Sequence, residues 1–101
     1  MYKKIIIPKE ELHYRLNSVD TRYVINEGDR AIGFFAATKD MVVPTQISPS
    51  DVCFYVIEGN VQISIDDKIF ELKNGEMIVI PKINSYKISF LEDSKAIFIR
   101  V

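Results

Sequence analysis

Turn-forming residues punctuate this chain roughly every six to ten positions from about Arg22 to Val101, so no interval there is long enough to build a packed helix. The intervals are short and rich in β-branched and aromatic residues. That rhythm predicts an all-β sandwich or barrel, not strands alternating with helices. The clearest strand covers residues 61–66, where Val61, Ile63 and Ile65 alternate with Gln62, Ser64 and Asp66 and so define an inner and an outer face. Gly59 and Asn60 turn the chain into this strand, and Asp66-Asp67 turns it out. Residues 68–72 then return, Asn74-Gly75 supplies a tight turn, and 76–80 run on to Pro81. Pro81 has no amide donor and ends the strand. Further strands are expected at 30–38, 41–47, 85–90 and 95–101, with a turn over 91–94. Ahead of them, 5–7 reads as a strand and 8–12 as one helical turn, proline being well placed at the first helical position.

The length of 101 residues fits a single domain, 1–101, with a core of its own. No apolar run approaches the roughly 20 residues needed to span a bilayer, and the Lys3-Lys4 flank is followed by too short an apolar stretch for a signal peptide. Thirteen basic against fourteen acidic residues leave a net charge of −1, scattered along the chain, so neither nucleic acid nor a membrane surface is an expected partner. One cysteine, Cys53, cannot form an internal disulfide, which agrees with a cytoplasmic setting.

Two segments resemble the paired motifs of the cupin superfamily. The first is Asp51-Val-Cys-Phe-Tyr-Val-Ile-Glu-Gly59; the second is Asn74-Gly-Glu-Met-Ile-Val-Ile-Pro81, in which Gly75 stands at the family's distance from its proline. The resemblance covers residues 41–90 and implies a jelly-roll barrel, the double-stranded β-helix of RmlC-like proteins. It also implies where a metal would be held, and those positions have changed. The family's glutamate ligand falls on Val52, and its first two histidines on Thr45 and Ile47 or, with the shorter spacing, on Gln46 and Ser48. The third histidine falls on Tyr86. The second motif's glycine and asparagine fall on Ile83 and Phe90, and Lys39 or Asp40 takes the place of the glycine that opens the first motif. Amide, hydroxyl and carbonyl groups alone hold a divalent transition metal weakly, so neither a metal nor another cofactor is expected.

Residues two apart share a face of a strand, and the cupin ligands point into the barrel. By that reasoning Val52 groups with Phe54 and Val56, and Tyr86 groups with Ile88 and Phe90. The expected interior is apolar, with Tyr86 and either Thr45 or Gln46 as polar points, Ile47 adjoining them, and Phe34 or Phe35 closing one side. Such a lining suits a small apolar or aromatic ligand, although the same side chains can also fill a small barrel completely. Cys53, one residue out of phase with Val52, should face away from the interior. His13, the only histidine, has no nucleophile or carboxylate to work with. Asp66-Asp67 and Glu10-Glu11 suit a hairpin tip and a helix start, and Arg22, Arg30 and Arg100 bind an anion only if they converge.

The expected function is a metal-free cupin that binds a small molecule or serves as a regulatory module. The alternatives are a metal-independent isomerase or lyase working through Tyr86, and a metalloenzyme with unconventional ligands. Acid–base chemistry at Tyr86 requires a second titratable group within hydrogen-bond reach. A homodimer is also expected, formed by the strand ahead of Pro8 together with outward Tyr55, Ile57 or Cys53.

Overall fold

The computed structural model describes residues 6–16 and 18–101. After one helical turn, α1 (Pro8–Glu11), the chain forms nine strands: β1 (Val19–Glu27), β2 (Arg30–Ala37), β3 (Val42–Ile47), β4 (Val52–Glu58), β5 (Asn60–Ile65), β6 (Lys68–Lys73), β7 (Met77–Ile80), β8 (Ser85–Phe90) and β9 (Ser94–Arg100). They build two antiparallel sheets, in the orders β1-β2-β9-β4-β7 and β3-β8-β5-β6. The strands expected from the turn spacing are present, with ends displaced by a residue. β1 begins at Val19, ahead of the expected onset at Arg22. The expected strand at 5–7 is corrected in part: Ile5 lies outside the described residues, Ile6 and Ile7 are not in a strand, and Ile7 caps α1. No helix among the described residues is long and apolar enough to cross a membrane.

The inner faces of the two sheets meet in one apolar core. Alternation along β4 and β5 buries Val52, Phe54 and Val56 against Val61 and Ile63, with Phe90 and Ile80 completing the layer. β2 departs from alternation because both of its faces are covered, which explains its nearly unbroken run Ala31-Ile-Gly-Phe-Phe-Ala-Ala37. Its inner residues, Phe35 and Ala37, join the main core. Its outer residues, Phe34 and Ala36, lie beneath Leu12, with Ile6, Tyr14 and Ile97 around them.

That leading segment is also fastened by polar contacts. The Tyr14 hydroxyl donates to Glu58 Oε2 at 2.8 Å, and Lys9 Nζ lies 3.3 Å from Glu58 Oε1. Lys95 Nζ donates to the Lys9 carbonyl at 2.8 Å and sits 5.0 Å from the centroid of the Tyr14 ring.

The residues carrying the cupin resemblance are joined to each other. Gly59 adopts a φ of 112°, and a Cβ there would collide with the buried Ser94 side chain, so only glycine fits the turn. Its amide donates to Asn74 Oδ1 at 2.6 Å, tying the end of the first motif to the start of the second. The two motifs thus keep their turn chemistry for a structural reason that has nothing to do with a metal.

Candidate functional site

At one end of the sandwich the inner faces do not close completely. They leave a cavity of about 180 Å³ bounded by β1, β2, β3, β4, β7, β8 and β9. Its walls are apolar, made by Phe35, Phe54 and Phe98 with Val52, Ile80 and Ile88. Phe35 packs at 5.5 Å from Phe54 and 5.9 Å from Phe98, centroid to centroid, so the aromatic wall is one contiguous group. Gly33 permits it: a Cβ there would come within 2.5 Å of Phe98 Cζ. Other inner-face residues, among them Val56, Val61, Ile63, Leu72, Phe90 and Ala96, are buried in the core and do not line this cavity.

Of the residues expected to line a pocket, Tyr86, Gln46, Val52, Phe54 and Ile88 are brought together at this cavity, while Thr45, Ile47 and Phe34 are not. The cause in β3 is a shift in its pairing with β8 between Val43 and Gln46, beside Pro44. Proline cannot donate to the ladder and is tolerated here because β3 is an edge strand. The irregularity lets Val43 and Gln46, three residues apart, face the same cavity, and it turns Thr45 and Ile47 out to solvent. Ser48, the other residue at a histidine position, is buried and accepts the Ser50 amide hydrogen bond at 3.1 Å. Phe34 is out of phase with Phe35 and belongs to the cluster under Leu12. Cys53 is half-buried and does not line the cavity; His13 is exposed.

Several lining residues went unnoticed in the sequence. Val19, Thr21 and Tyr23 come from β1, which forms the edge of its sheet beside the opening. Their period-two spacing was the available signal. Phe98 and Arg100 come from β9, where the alternation from buried Ala96 through Phe98 points Arg100 inward.

The polar groups cluster at one side. The Tyr86 side chain is largely buried, the residue being 9% exposed, and its hydroxyl donates to Gln46 Oε1 at 3.2 Å. Burial raises the Tyr86 pKa above the usual phenol value; the Arg100 charge pulls it back down, and Tyr23 adds a smaller upward push. The phenol is therefore a neutral donor at physiological pH. Arg22, Arg30 and Arg100 do not converge: Arg30 pairs with Glu27 at 3.1 Å and Arg22 Nε lies 3.8 Å from Asp20, leaving Arg100 alone at the cavity.

The metal implied by the wider cupin resemblance does not fit these donors. Around the cavity stand an amide, hydroxyls and a guanidinium, with neither an imidazole nor a carboxylate, and a cation there would face the charge of Arg100. Among the described residues, no group of three or more His, Cys, Asp or Glu side chains is placed to hold a metal ion.

Comparison with known proteins agrees with this architecture. A sequence profile described as Mif2/CENP-C like matches residues 24–100. A search among curated proteins found no match. Among solved structures, a conserved protein of unknown function from Streptococcus pyogenes superposes with a TM-score of 0.94 at 20% identity, covering 100% of this chain and 89% of its own. A cupin superfamily protein from Desulfitobacterium hafniense gives 0.90 at 17% identity, covering 100% and 94%. The Cnp3 cupin domain of Schizosaccharomyces pombe gives 0.73 at 16% identity, covering 82% of this chain and 60% of that one.

Proposed function

This chain belongs to the Mif2/CENP-C like family and has the cupin jelly roll, and from that premise we propose that it is a metal-independent binding module whose cavity takes a small apolar or aromatic molecule. One observation carries the reading: the cavity lies where wider-family ligand positions fall on Val52, Gln46 and Tyr86, with apolar walls and one polar side. At about 180 Å³ it is smaller than the roughly 300–1,000 Å³ of sites for drug-sized ligands, so the molecule is small. Binding is favoured over acid–base chemistry because the hydrogen-bond partner of Tyr86 is Gln46, an amide that does not exchange protons near neutral pH.

The test is a panel of single-ring compounds followed by methyl NMR. The expected result is a set of shift changes confined to Val43, Val52, Ile80 and Ile88. Changes confined to surface methyls such as Ile69 would defeat the reading.

The same proposal includes a cytoplasmic single-domain protein that pairs with a second copy. The outer face of the five-stranded sheet supports pairing: Val79, Cys53, Ile99 and Ile32 stand opposite one another across β7, β4, β9 and β2. Tyr55 lies in the adjacent row against Met77 and Ile97. Light scattering should give a dimer mass at tens of micromolar, and Ile99→Lys should convert it to a monomer; a monomeric parent protein would remove this part.

A further inference from the structure

We propose that the cavity binds a small apolar monocarboxylate, one ring or branched chain bearing a single negative charge, with Arg100 as the group that receives the anion. The inference rests on the binding reading above and adds the charge of the ligand.

Charge balance is the first argument. Among the described residues, Arg100 is the only charged one lining the cavity, and no carboxylate lines it. The other two arginines singled out in the sequence each have an acidic side chain close by, whereas Arg100 has no ion-pair partner among the described residues. Its Nε is buried and has no hydrogen-bond acceptor. Folded chains seldom leave a buried guanidinium N–H unmatched, because such a donor has lost water without gaining a partner. An anion arriving from solution supplies the acceptor that the chain itself does not.

The second argument is convergence. Tyr86 is on the same cavity as Arg100, and the Arg100 charge opposes the upward push of burial on the phenol. Tyr86 retains its proton and so brings a neutral donor alongside the cation. A guanidinium and a phenol together match the two oxygens of a carboxylate, and charge-assisted bonds of this kind are stronger than the existing neutral Tyr86–Gln46 bond. One positive charge also limits the anion: a dianionic phosphate would keep an uncompensated charge beside phenylalanine rings.

Size supplies the third. An engineered cavity of about 150 Å³ lined by apolar side chains admits benzene. The cavity here is about 180 Å³, and its wall of Phe35, Phe54 and Phe98 suits a ring with little more than the acid group attached.

The experiment is calorimetric titration of the full chain with benzoate, benzamide and phenyl phosphate, repeated on Arg100→Gln. Benzoate is expected to bind at least about tenfold more tightly than benzamide, its near-isosteric neutral counterpart, and more tightly than phenyl phosphate. In Arg100→Gln, benzoate should fall to the benzamide level while benzamide stays within about twofold. The benzoate-to-benzamide ratio is read on the unaltered protein, so a variant that fails to fold does not affect it. Equal or tighter benzamide binding overturns the carboxylate inference while leaving the cavity a binding site. A benzoate preference that persists in Arg100→Gln also overturns it, by locating the anion elsewhere. Absence of binding by all three at millimolar concentration sinks the binding reading and this inference together.

Discussion

Tyr14 and Tyr86 are both phenols whose pKa is pushed upward, first of all by burial, yet their surroundings are completed to different degrees. The Tyr14 hydroxyl meets a carboxylate, Glu58, which in turn has Lys9 beside it, and Lys95 lies over the ring and reaches the Lys9 carbonyl. Every strong group in that cluster has a partner within the chain. Among the described residues, the Tyr86 hydroxyl meets only the amide of Gln46, beside an arginine with an unmatched N–H and a cavity. Two regions built from similar residue types thus differ in how completely their polar groups are partnered. Around Tyr14 the chain meets its own polar requirements and the contacts hold the fold; around Tyr86 an Arg100 N–H is left unmatched, which is the opening that the proposed ligand would fill.

The largest effect that separates the two regions is expected from Leu12→Ala. Leu12 is 1% exposed and covers Phe34 and Ala36, so truncation removes buried methyl groups and leaves a void on the outer side of β2. The expected cost is about 2–4 kcal/mol in urea unfolding. Small-molecule affinity at the cavity should stay unchanged, because β2 separates the void from it. A parallel loss of affinity would break the comparison by showing that the latch and the cavity are one cooperative unit.

The tyrosines themselves sharpen the contrast. Tyr14→Phe removes a hydrogen bond to a charged group and is expected to cost about 1–2 kcal/mol; Tyr86→Phe frees an exposed amide that water can satisfy, and should cost less than about 1 kcal/mol. Their effect on benzoate binding should be reversed, with Tyr86→Phe weakening it severalfold and Tyr14→Phe leaving it alone.

Their pH profiles differ as well. Both phenols titrate higher in the folded chain than in the unfolded one, where the value is near 10.0, so above that pH the unfolded chain gives up its protons first and stability falls. Glu58 acts at the other end. Its pKa is lowered below 4.5, chiefly by the Tyr14 hydrogen bond and against its own desolvation, so its contribution is complete above about pH 4.5 and is lost as pH drops through the lowered value. Unfolding followed from acid to alkaline pH should therefore show both limbs flattened in Tyr14→Phe and only the alkaline limb flattened in Tyr86→Phe. Identical profiles for the two variants would erase the distinction.

Much of the framework was legible because it depends on local chemistry. Alternation in 61–66, the Asn74-Gly75 turn and the donorless Pro81 marked strands and their ends correctly, and Gly59 marked a turn that only glycine can make. The cavity was less legible, since it depends on phase. One irregularity beside Pro44 places Gln46 and not Thr45 at the cavity, a choice that alternation alone left open, and the covering of β2 by Leu12 hid the difference between Phe34 and Phe35 behind an unbroken apolar run. Arg100 was noticed as a cation but not as a lining residue. Its inward direction follows from Ala96 and Phe98, yet its isolation depends on where the acidic residues of other strands lie.

The smallest expected effect lies in the chain that leads to Tyr86. Ile83 occupies the position of a family glycine and has a φ of 68°, in the left-handed region that β-branched residues avoid. Asp40 and Asp66 share positive φ, but short polar side chains tolerate it far better. Ile83 is 67% exposed, so its side chain buries little to offset the strain, while its amide donates to the Ser48 carbonyl at 2.9 Å and holds the loop against the end of β3. Ile83→Gly keeps that amide and relieves the backbone. After the extra freedom of glycine in the unfolded chain is subtracted, it should stabilise the protein by about 0.5–1 kcal/mol. No comparable strain occurs in the described part of the leading segment, where the positive-φ residues are absent. If Ile83→Gly raises stability and also loosens benzoate binding, the strained loop helps to position Tyr86, and the open region differs from the latch in its backbone as well as in its unmatched polar groups. Higher stability with unchanged affinity confines the difference to Arg100, Tyr86 and Gln46, and lower stability would show that the Ile83 side chain contributes more than its exposure implies.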